Sequence, residues 1–255
     1  MKDNLVKFLP YIVGITIGWL LMSPPLWFRS MGVFGYLILV LLCGAALVSF
    51  FAIIILANLP ADVQLTPDPG ASTGGLDELM VRIVALGFVT AGPPLQVKIA
   101  PPALFVPYMN EAWGTYAMLY RTGTVPPKTM HEFVTILDDE KGSLTTLAEV
   151  KGDVLPSEKK IRKQIFPGAS VEELFEYHCE AVTHLHNQGL FRRSVSAETV
   201  IPDMKKSFAR SRARFLSSPL WNTLVVVYRI KSGKVPHLGS IMSQEDGGTR
   251  SVVSV

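Results

Sequence analysis

The sequence predicts an α+β protein: an N-terminal two-helix transmembrane hairpin followed by a small antiparallel sheet with several helices. Three observations predict this class. Apolar residues crowd the first sixty positions. Short strand-like runs fill positions 88–148, with clean alternation at 95–99, and helix-period patterns with start and stop signals fill 170–232. At 255 residues the chain has room for one soluble domain beside a membrane segment.

The hairpin is read over residues 1–60. Leu5 to Met22 is apolar apart from Lys7 and Thr16, and Met31 to Leu59 contains no charge and no proline. At about 1.5 Å per residue the second run exceeds a hydrocarbon core of about 30 Å, and the first is long enough to cross if Lys7 snorkels to the interface. Between them, Pro24 and Pro25 stop the first helix. Trp27, Phe28 and Arg29 suit the headgroup boundary. A cleaved signal peptide would need a small-residue cleavage site, and "LMSPPLW" has none. Lys2 and Lys7 lie at the N-terminal end of the first run while the loop holds Arg29 alone, which favours both termini in the cytoplasm and a two-pass topology. Gly14 and Gly18 form a GxxxG pair, and Ala45, Ser49 and Ala52 form a small-residue stripe. Such faces let helices approach closely in lipid, closing the hairpin or joining two copies.

Residues 61–75 read as a linker rich in proline and glycine. The soluble domain is read over 76–235, beginning with a helix from Leu76 to Leu86. Strands are expected at 95–99, 103–109, 115–121, 131–137 and 143–147, the last two joined by the hairpin loop "DDEKG". Pro107 marks 103–109 as edge-type. Ser170 and Glu173 make a capping box for a helix to Asn187. A further helix is expected from Asp203 to Leu216 behind Pro202. Residues 219–232 carry helical spacing and a β-branched run that also suits a strand. Residues 236–255 read as a polar tail.

Charge is unevenly placed. Residues 61–150 hold five Lys/Arg against ten Asp/Glu, and residues 151–255 hold sixteen against ten. The excess includes "EKKIRK" (158–163), Arg192 and Arg193, and a basic amphipathic helix bearing Lys205, Lys206, Arg210, Arg212 and Arg214. These five form the candidate surface for anionic lipid headgroups or an acidic partner. Without a recognisable nucleic-acid motif, the basic patch does not point to DNA or RNA.

No catalytic motif is present. Ser157 and Lys160 fit S-x-x-K without its companion elements, and neither a Walker A nor a G-x-S-x-G occurs. Glu180 and His184 are four apart and lack a third metal ligand. No metal or cofactor is expected. His178 falls on the apolar line of its helix, where it reads as a hydrogen-bonded core residue or a proton-sensitive position. Cys43 and Cys179 lie in different segments and suggest no disulfide framework. The expected function is an interaction or sensing module held at the membrane, with an anchored enzyme or a subunit of a membrane complex as rivals.

Overall fold

The computed structural model describes residues 32–57, 63–97, 102–123, 127–138, 142–148, 161–232, 234–236 and 252–254. The chain divides into two compact units, Met1–Ile55 and Leu56–Val255.

In the first unit the second apolar run forms helix α1, Gly32–Ala57. Its 26 residues rise about 39 Å, enough to pass the hydrocarbon core. Apolar side chains surround it: Val33, Phe34, Leu41 and Ile53 are exposed, while Leu39, Cys43 and Ala52 are covered. A helix apolar all round suits lipid better than water. Among the described residues it is the one helix long and apolar enough to cross a membrane. The predicted first span, with Gly14 and Gly18, lies outside the described residues.

The second unit is built on an eight-stranded sheet. Its main path runs β1 (Leu65–Pro67), β3 (Leu95–Val97), β4 (Ala103–Asn110), β5 (Thr115–Thr122), β6 (Thr129–Leu137), β7 (Gly142–Leu147) and β8 (Ile161–Ile165). Strand β2 (Val89–Thr90) pairs with β4 beside β3. All neighbours are antiparallel except β7 and β8. The expected hairpin is present, with Leu137 paired to Gly142.

Three expectations are corrected and one strand is added. Strand β4 is central, with β5 on one side and β2 and β3 on the other. Pro107 is tolerated because the Pro107 carbonyl, and with it the donorless nitrogen, faces the break between β2 and β3, where Ala91 N donates to Pro107 O at 3.0 Å. The charged stretch 158–163 runs into β8, whose Gln164 and Ile165 point to opposite faces of the sheet and are both buried. The linker contributes β1, and Val63 is buried. The helix expected at Asp203 starts at Ala197 and carries Pro202 inside it. Ser196 N donates to Thr199 Oγ1 at 3.1 Å, which supports the earlier start. The proline removes one backbone bond, offset by the packing of Val200 and Met204 on the sheet.

Alternation assigns the two sheet faces. One face carries Val106, Tyr108, Ala117, Leu119 and Phe133, packed against α2 (Asp77–Ala85) through Ile83 and α3 (Val171–Asn187) through Val171, Leu174 and Phe175. Full burial of each such side chain stabilises by about 1.5–3 kcal/mol. Ser170 starts α3 as expected: Glu173 N donates to Ser170 Oγ at 3.3 Å and Ser170 N to Glu173 Oε2 at 2.8 Å. An Arg82–Glu172 fork ties α2 to α3. The opposite face carries Leu95, Tyr116 and Met118, packed against α4 (Ala197–Ser217). Residues 219–232 form helix α5 (Pro219–Ser232). Beyond it, β9 (Lys234–Pro236) pairs antiparallel with β10 (Val252–Ser254).

Candidate functional site

Helix α4 touches the second sheet face through Val200, Met204 and Phe208, near β3 to β5. The sheet continues past it to β8, so one wall of helix stands over a broad floor of strands. Between them lies a groove of about 650 Å³. Five strands at about 4.8 Å spacing give it a reach of roughly 20 Å.

The floor follows from strand alternation. Phe105, Met118, Met130, Val134, Ile136 and Leu147 supply apolar surface, and Ser143 and Thr145 supply hydroxyls. Phe105 and Tyr120 stack at 5.1 Å. The wall follows from helical spacing: Asp203, Lys206, Ser207, Arg210, Ser211 and Arg214 recur three or four apart on one side of α4. Lys163 of β8 adds a cation from the floor. The volume matches an ordinary small-ligand site, and the lining joins its apolar residues to five cations and two carboxylates, Asp203 and Glu132 of β6.

One end of the groove is internally satisfied. Tyr116 Oη lies 2.6 Å from Thr199 Oγ1 and donates to Asp203 Oδ2 at 3.2 Å. Arg193 forms an ion pair with the same Asp203 carboxylate. Burial, more than the nearby carboxylate, raises the Tyr116 phenol above its ordinary range. Arg192 is spent structurally, donating to Ala112 O at 2.8 Å and lying over the Trp113 ring at 5.8 Å.

The structure therefore divides the predicted basic surface. Lys206, Arg210 and Arg214 line the groove, while Lys205 and Arg212 lie outside its lining. On α1, Ala52 is covered and Ala45 and Ser49 are exposed. The sequence missed the floor, because its lining residues come from five strands that only pairing brings together. Their alternation on each strand was the available signal.

His178 is fully buried on the opposite face, under α3. Gln164 Nε2 donates to Tyr177 O at 2.9 Å and to Thr146 Oγ1 at 2.8 Å. Thr146 Oγ1 lies 2.8 Å from His178 Nδ1, and His178 Nε2 lies 2.9 Å from Thr135 Oγ1. Thr135 Oγ1 is 2.8 Å from Thr115 Oγ1, which donates to Trp113 O at 3.1 Å. An amide at one end can only donate and a carbonyl at the other can only accept. Every hydrogen is used when Thr146 donates to Nδ1, Nε2–H donates to Thr135, and Thr135 donates to Thr115. The chain thus selects the neutral Nε2–H tautomer, and burial pushes the imidazole down to about 3. His178 consequently does not titrate near neutral pH.

Other candidates offer little chemistry. Burial pushes the half-buried Cys179 thiol up to about 12, so it is not a thiolate nucleophile. His184 Nε2 contacts Gln188 at 3.0 Å, and among the described residues no three His, Cys, Asp or Glu side chains converge on a metal position. Ser157 and Lys160 lie outside the described residues. Comparisons with protein-family models, curated proteins and solved structures found no match for this chain.

Proposed function

We propose that the chain is a membrane-anchored binding module whose groove takes an anionic group carried on an apolar body. One observation carries this reading: Lys206, Arg210 and Arg214 stand along the same wall, over a floor of Phe105, Met118, Val134 and Leu147. An anion gains charge-assisted hydrogen bonds from that wall while its apolar body displaces water from the floor. The carrier is an anionic lipid or the acidic segment of a partner protein, the two sources that share this chemistry. Two spans closing as a hairpin, with the domain in the cytoplasm, complete the proposal on the Lys/Arg distribution.

The test is equilibrium dialysis of naphthalene sulfonate, a ring with one anion, against the full chain in nanodiscs, with empty nanodiscs as the blank. The expected result is saturable binding, weakened about tenfold by Arg210→Gln through loss of one charge-assisted hydrogen bond. Binding no greater than the blank would remove the proposal.

A further inference from the structure

Helix α5 is amphipathic in the reverse sense. Its protein-facing side carries Asn222, Thr223 and Val226, exposed by 5%, 1% and 2%. Asn222 Nδ2 donates to Arg214 O at 3.0 Å and to Phe215 O at 3.1 Å, closing the end of α4, and Thr223 Oγ1 donates to Pro219 O at 2.7 Å. The outward side carries Leu220, Trp221, Leu224 and Tyr228, exposed by 56%, 65%, 48% and 58%. At about 100° per residue these four fall within an arc of roughly 100°. A helix on a water-facing surface turns its apolar stripe inward. This one turns polar groups inward and its stripe away.

We propose that α5 lies in the headgroup region of the bilayer that α1 crosses, giving the second unit its own membrane contact. Three observations select the bilayer as occupant. Helix α1 is long and apolar enough to anchor the chain in a membrane, which keeps lipid within reach at high effective concentration. The stripe joins leucines to Trp221 and Tyr228, the ring types that favour the membrane–water boundary, and 14 residues are too few to span. Finally, Met204 to Gln244 contains eight Lys/Arg and no Asp or Glu, a complement to anionic headgroups. Five of these cations, Lys205, Arg212, Arg229, Lys231 and Lys234, are outside the groove lining, so the proposal does not rest on the groove.

The experiment places a spin label at Leu224→Cys in the full chain, with Cys43→Ala and Cys179→Ala, in vesicles of phosphatidylcholine and phosphatidylglycerol. A label at Val81→Cys, an exposed position on α2, is the aqueous reference. The expected result is loss of accessibility to a water-soluble nickel chelate and gain of accessibility to oxygen, relative to the reference. Trp221→Ser with Leu220→Ser should abolish that shift while leaving naphthalene sulfonate binding unchanged. Nickel accessibility equal to the reference would overturn the proposal. So would protection from nickel and oxygen together, which marks a protein contact such as a second copy.

Discussion

At the scale of single residues, the core under α3 is specified by polar groups as well as apolar ones. Thr146 both accepts from Gln164 and donates to His178. Thr146→Val keeps the shape but leaves His178 Nδ1 without that donor, and the expected loss is about 1–3 kcal/mol in urea unfolding of residues 56–255. Replacing His178 by leucine likewise strips a partner from two buried hydroxyls. The pH dependence has a definite sign. The unfolded imidazole binds a proton below about 6.5, whereas the folded one stays neutral to about 3. The unfolded state therefore binds more protons in that window, and stability falls as pH drops through it. From pH 7 to pH 5 this one group should remove about 2 kcal/mol, and His178→Leu should flatten most of the decline. His131, also lowered by burial, leaves a residual slope of the same sign.

At the scale of elements, local signals and long-range packing set different boundaries. Helix α3 begins where its capping box stands, so Ser170→Ala should cost about 1 kcal/mol in the same unfolding measurement. The turn between β4 and β5 depends on Gly114, whose φ is +57°. A Cβ there would meet Arg193 O and Arg192 Cδ at 3.0 Å. Gly114→Ala should therefore cost at least the 1–2 kcal/mol of a left-handed residue, with the groove end at Arg193 disturbed. Strand β4 shows the opposite case. Pro107 reads locally as an edge signal, and the interruption between β2 and β3 makes it acceptable in a central strand.

At the scale of the whole molecule, the proposed anchor and the proposed binding groove would meet different solvents. Fusing a cytoplasm-active reporter to Val255 should give signal, and a reporter active only outside should give none, if the apolar runs cross as a pair. The reverse pattern would place the groove on the other side of the membrane. Neither outcome changes the groove itself, whose lining is internal to the second unit. Its binding should weaken with salt, because the wall cations are partly exposed and screened within about 8–10 Å.

By itself the sequence determined what depends on near neighbours along the chain. The long apolar run of α1, the Ser170 cap, the aromatic and apolar run of β5 and the spacing of Lys206, Arg210 and Arg214 are all periodic or adjacent features. Tertiary structure decided what depends on partners distant in sequence. It placed β8 beside β7, made Pro107 central, gave His178 its two threonines and turned three of five cations over an apolar floor. It also showed α5 facing outward with its leucines, which periodicity alone reads as an ordinary core stripe. The physical reason is common to these cases. Spacing along the chain fixes which residues share a face, and only packing fixes what that face meets.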